Sequence, residues 1–150
     1  MAKAPHNTLA AERRKARHYG MQALYQWHMA GASLSEIEAE FRDDYDFSHV
    51  DLEYFQALLH EIPAHVDTLE AGLVPLLDRE LDELDPIERT LLRMGAWELT
   101  ERLDVPYKVV INEAVALAKK FGATDGYKYI NGVLDKAAHE FRKVEIDAAS

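Results

Sequence analysis

The chain has 150 residues, a net charge of −10 at pH 7, 48% hydrophobic residues and no cysteine. That length suits one compact domain or two small subdomains sharing a core. The lack of cysteine excludes disulfides and thiolate metal sites, the lack of any apolar run of about 18 residues excludes a membrane-spanning helix, and the polar stretch Met1–Ala10 has no secretion-signal core, so a cytoplasmic protein is expected.

Residues 1–8 read as a mobile arm. A helix is predicted from about Leu9 to Met29, with Ala16, Gly20, Ala23, Leu24 and Trp27 on one face and Gly31 as its stop. Ser33 and Glu36 form a capping-box pattern for a second helix striped by Leu34, Ile37 and Phe41. Asp43–Ser48 reads as a loop. A third helix starts near Val50 and carries Phe55, Leu58, Leu59 and Ile62. Pro63 marks a kink or the first residue of a fourth, and Pro75 ends or kinks that one. Asp85-Pro86-Ile87-Glu88 is a strong helix start, followed by the apolar face Leu91, Leu92, Ala96, Leu99 and Leu103. Val105-Pro106 breaks the chain. The next helix buries Val110, Ala114, Leu117 and Phe121 and stops at Gly122. Thr124 or Asp125 caps a last one with Ile130, Val133, Leu134, Ala137 and Phe141. The pattern predicts an all-α fold of six to seven helices with no sheet. It contains no repeat.

An acidic protein repels phosphate, so net charge argues against nucleic acid. Its distribution argues otherwise. Residues 1–20 hold five Lys/Arg and one acid, residues 21–100 four basic and eighteen acidic residues, and residues 101–150 eight of each. Such segregation lets one face meet RNA and another a basic protein; the alternative is a solvated acidic surface with a frayed basic tail.

Enzyme signatures are absent. His60 and His65 stand five apart, which turns the second imidazole by about 140° from the first, so they read as two partly exposed histidines without metal. There is no nucleophile elbow, phosphate loop or dinucleotide fingerprint. Glu80, Asp82, Glu83 and Asp85 read as a solvated run and not as an acid/base pair. No catalytic residue, cofactor or small-molecule substrate is expected.

Five segments carry a resemblance. Arg13-Arg14-Lys15-Ala16-Arg17 is followed by Gln22-Ala23-Leu24-Tyr25-Gln26-Trp27. Glu88-Arg89-Thr90-Leu91-Leu92-Arg93 leads to Glu98-Leu99. Asp104-Val105-Pro106-Tyr107-Lys108-Val109-Val110-Ile111-Asn112-Glu113-Ala114 comes next. Lys119-Lys120-Phe121-Gly122 and Tyr129-Ile130-Asn131-Gly132-Val133-Leu134-Asp135-Lys136 complete the set. Their order, spacing and content over residues 13–138 resemble the NusB family of transcription antitermination factors.

The resemblance implies two packed three-helix bundles with a linking helix. On this chain they would be a single domain at 9–143, divided into about 9–77 and 78–143, before a disordered tail at 144–150. It implies recognition of single-stranded boxA-type RNA in ribosomal RNA leaders, a heterodimer with NusE, a small-subunit ribosomal protein, and entry into the RNA polymerase elongation complex. Arg13, Arg14, Lys15 and Arg17 are the implied phosphate contacts. Tyr129 stacks on a base or is a core aromatic four before Val133. Lys128 meets phosphate. Arg93 either contacts RNA or makes an ion pair with Glu98 or another acid. Asp125 caps the last helix and places negative charge beside the RNA path, while Gly126 lowers helix propensity there. Tyr25 and Glu88 match partner-contact positions, with Tyr25 alternatively in the core, and the acidic stretch that includes Asp82 suits a basic NusE. Asn112, Glu113, Asn131, Gly132, Asp135 and Lys136 are read as structural, Gly132 by allowing close packing. The rival readings are the NusB-like domain of an RNA cytosine methyltransferase, which would need a methyltransferase segment beyond Ser150, and a helical module that binds only protein.

Overall fold

The computed structural model describes residues 5–149, which form eight α-helices, two 3₁₀ turns and no strand. The helix count exceeds the expected six to seven because the tail is helical. Two compact units divide between Ala64 and His65, not near residues 77 and 78.

The first unit holds α1 (Pro5–Ala30), α2 (Leu34–Asp44) and α3 (Leu52–Ala64), and α1 packs on both of the others. The helix α1 starts at Pro5, earlier than expected. Proline tolerates a first helical turn, where an N–H would have no intrahelical acceptor. Residues 1–4 of the expected arm lie outside the described residues. Gly31 ends α1 with φ 65°, a left-handed conformation that suits glycine, and its N–H bonds to the Trp27 carbonyl at 2.9 Å. Ser33 is the N-cap of α2, but its side chain makes no cap bond, so the capping box does not form. Pro63 does not open a new helix; it sits inside α3, one residue before its end. The core of this unit is Met21, Leu24, Ile37, Phe55, Leu58 and Ile62.

The second unit holds α4 (Val66–Leu73), α5 (Pro86–Glu101), α6 (Tyr107–Phe121), α7 (Gly126–Phe141) and α8 (Lys143–Ala149), with 3₁₀ turns at Val74–Leu76 and Leu81–Glu83. Helices α5, α6 and α7 pack pairwise on one another, α4 lies on α5, and α8 follows α7. Asp85 caps α5 as read, its carboxylate accepting from the N–H groups of Ile87 and Glu88 at 3.2 and 3.3 Å. The α5 sequence reads as one apolar stripe, yet every residue from Thr90 to Leu99 is buried. Gly95 permits this on one side. A β-carbon there would stand 2.6 Å from Leu134 Cδ2, so glycine sets the close approach of α5 to α7. Gly132 has no such role, because nothing lies within 4 Å of where its β-carbon would be. Asn131, Asp135 and Lys136 lie on the same exposed side of α7. The segment expected to be a disordered tail is α8, tied down by Arg142 and Glu145.

Candidate nucleic-acid interface

The four cations that open α1 do not share a face. Arg13 and Arg17 stand one turn apart and both turn to Tyr54 of α3, with guanidinium carbons 4.7 and 5.3 Å from its ring centroid. Arg13 also donates from Nε to Asp51 Oδ2 at 3.4 Å. Arg17 is 4% exposed. A cation over an aromatic face is stabilised by the ring quadrupole, so Arg17 is a packing residue and not the phosphate contact read from sequence. Arg14 and Lys15 are exposed. Helical periodicity separates the group into an inward pair and an outward pair, a division that composition alone does not reveal.

A second constellation lies in the other unit, where α6 gives way to α7. Lys119 Nζ lies 4.7 Å from the Tyr127 ring centroid and Lys120 Nζ 5.5 Å from that of Phe121. Asp125 is the N-cap residue of α7, but its side chain makes no cap bond. It faces Lys128 instead, Oδ1 to Nζ at 3.5 Å, with both side chains well exposed. Gly126 has a use of its own: a β-carbon there would lie 2.7 Å from Glu88 Oε2, so glycine makes room for that carboxylate at the helix start.

Tyr129 follows one turn on. It is partly buried and its ring is covered: the Arg79 guanidinium carbon lies 4.1 Å from its centroid. Arg79 Nε in turn donates to Asp78 Oδ1 at 2.9 Å. The Tyr129 hydroxyl is buried without a hydrogen-bond partner. Burial, and then the neighbouring Asp78 carboxylate, push the phenol above its ordinary pKa. The Arg79 bond holds the Asp78 carboxyl below the usual range. Sequence reasoning missed Arg79, which sits in the Leu77–Glu80 segment with no periodicity to give its direction; the one available signal is a lone cation beside an acidic run.

Arg93 is 6% exposed and pairs with Glu70 of α4 at 2.8 Å. This acid of α4 fits the ion-pair alternative. Arg89 grips the same carboxylate through Nε at 2.7 Å and Nη2 at 3.2 Å. Burial alone would raise the Glu70 carboxyl, but the bonds from Arg89 and Arg93 outweigh it and hold it below the usual range.

Of the residues read as partner contacts, Asp82 is fully displayed, its side chain 96% exposed and 3.5 Å from Arg89. Tyr25 is half-buried on α1. Glu88 is 9% exposed and turned toward Gly126, so it is not displayed for a partner. Burial, and then Asp85, raise its pKa. In the first unit His60 bonds Glu38 at 2.7 Å, while His65 is exposed. No group of three His, Asp or Glu among the described residues can hold a metal ion, and no described helix is long and apolar enough to cross a membrane.

The NusB family model matches residues 14–139. The transcription antitermination protein NusB of Pseudomonas entomophila is 57% identical over 139 residues, covering 93% of this chain and 84% of its own length. That of Hahella chejuensis is 55% identical over 138 residues, covering 92% and 93%. A solved structure of T. maritima NusB superposes with a TM-score of 0.75 at 26% identity, covering 85% of this chain and 91% of that one.

Proposed function

The chain belongs to the NusB family, and on that premise we propose that it is a transcription antitermination factor that binds boxA-type RNA of ribosomal RNA leaders together with NusE and joins the elongating RNA polymerase complex in the cytoplasm. It works by binding, without turnover. The observation that carries this reading is the family match over residues 14–139, which spans every candidate contact except Arg13. We read α1–α3 and α5–α7 as the family's two three-helix bundles.

The chemistry follows from what is exposed. Arg14 and Lys15 offer charge to phosphates, Lys128 offers another, and the Tyr129 region offers planar groups for bases. Asp82 in the acidic 3₁₀ turn steers a basic ribosomal protein. The test is titration of boxA-type RNA into the protein, with and without NusE, at two salt concentrations. Affinity is expected to fall steeply with salt because binding releases counterions, and the double variant Arg14→Ala, Lys15→Ala to flatten the log–log slope by about 0.7 per lost contact. An unchanged slope would move the RNA away from the start of α1.

Asp125→Asn separates charge from capping. The side-chain cap bond is not made, and exposed ion pairs contribute only about 0–1 kcal/mol, so thermal stability is expected to stay near that of the parent. Lys128 loses its anionic neighbour and phosphate loses a repelling one. Tighter RNA binding is expected, most at low salt. Weaker binding in an anisotropy titration would show instead that the Asp125 carboxylate accepts a hydrogen bond from RNA.

A further inference from the structure

We propose that Arg79 and Tyr129 form one layered stacking platform, and that an RNA base rests on the outward face of the Arg79 guanidinium. This rests on the RNA-binding function proposed above and names a contact within it.

The argument begins with what covers Tyr129. A base cannot lie flat on the covered face of the ring while Arg79 holds it at 4.1 Å. Displacing Arg79 would break both the cation–π contact and the 2.9 Å bond to Asp78. The Arg79 side chain is nonetheless 41% exposed, so it covers the ring while staying accessible from solvent. Guanidinium is planar, always charged and weakly hydrated, and it stacks on aromatic rings and nucleobases alike. The 2.9 Å bond from its Nε to Asp78 restrains the rotation of the guanidinium from its edge. The arrangement is therefore assembled before RNA arrives, and a base that adds to it extends the stack by one layer. The Tyr129 hydroxyl is buried beside Asp78 without a hydrogen bond of good geometry and lies outside the stack.

The experiment is anisotropy titration of a boxA-type RNA oligonucleotide, with melting measured on each variant. Arg79→Ala is expected to bind about ten-fold more weakly, the scale of one lost stacked base, and to melt as the parent does. Arg79→Lys is expected to bind as weakly as Arg79→Ala, because ammonium keeps the charge and lacks the plane. Tyr129→Phe keeps the ring and is expected to bind like the parent. Combining Arg79→Ala with Tyr129→Ala is expected to lose less than the two separate losses added together, since both remove one stack. Equal or tighter binding by Arg79→Ala would overturn the proposal, making Arg79 a cover over Tyr129. Full rescue by Arg79→Lys would overturn it too, leaving only a point charge on phosphate. If the parent binds no boxA-type RNA with or without NusE, the proposed function falls, and this contact with it.

Discussion

Glu70→Ala is expected to lower folding stability by about 3–5 kcal/mol, the cost of stripping a buried cation of its partner. Glu70 is 9% exposed and Arg93 6%. With the carboxylate gone, Arg93 keeps its charge, because guanidinium does not give up its proton. It then keeps that charge in a buried position without the Glu70 carboxylate. Arg89 loses both bonds to the same carboxylate, although its side chain is 18% exposed and reaches Asp82. Glu70→Gln keeps an acceptor and is expected to lose less. The same network sets a pH dependence. The Glu70 carboxyl titrates lower in the folded chain than its ordinary value of 4.5. Its contribution is therefore fully present above that value and is lost as pH falls through the depressed folded one. Urea unfolding of parent and variant at neutral and acidic pH checks both points: the difference between them is expected to shrink on acidification. A loss below about 1 kcal/mol at neutral pH, the range of exposed pairs, would mean that the cluster is solvated.

The Glu70 cluster also shows where sequence reasoning stopped. The start of α5 was legible because Asp85 and Pro86 act locally, through a side-chain cap and a missing N–H. Breaks at Gly31, Pro106 and Gly122 were legible for similar reasons. The burial of Arg17, Glu88 and Arg93 was not. Charged residue types read as surface, and a stripe of Leu91, Leu92, Ala96 and Leu99 marks one face of a helix. Only the packed structure reveals that Thr90–Leu99 is enclosed on all sides, with Glu70 waiting on α4 for Arg93. Ser33 and Asp125 make the converse point. Their types named the N-cap positions correctly, yet neither side chain forms the bond that makes such residues favourable there. In the candidate site, Arg14, Lys15, Lys128 and Asp82 are exposed, while Arg79 came only from the geometry around Tyr129.

Arg142→Ala is expected to cost about 3 kcal/mol and to release α8. Arg142 is 3% exposed and lies just past the end of α7. Its guanidinium donates to the carbonyls of Leu99, Glu98 and Arg102 at 2.7, 3.1 and 2.9 Å. These are carbonyls of the last turn and C-cap of α5; those of Glu98 and Arg102 also accept backbone N–H groups, from Arg102 and Val105, and a cation there complements the negative end of the dipole. A fourth partner is Glu145 of α8, whose other carboxylate oxygen accepts the Tyr107 N–H at the start of α6 at 3.1 Å. One side chain thus closes the end of α5 and, through Glu145, ties α8 to the start of α6. Removing it takes the Arg142 donor from the Leu99 carbonyl, a second donor from the carbonyls of Glu98 and Arg102, and the cation from Glu145; a buried acceptor left unpaired costs about 1–3 kcal/mol, which sets the scale of the figure given. Arg142→Lys supplies one donor head without the fork and is expected to recover less than half the loss. Hydrogen exchange reads the local part: amides of α8 and of the Arg102–Tyr107 segment are expected to exchange faster in Arg142→Ala, beyond what the global loss of stability brings. RNA affinity per folded molecule is expected to stay unchanged, because no proposed contact touches Arg142. If α8 amides exchanged at the parent's rate while global stability fell, the residue would serve the end of α5 alone and the coupling through Glu145 would have to be abandoned.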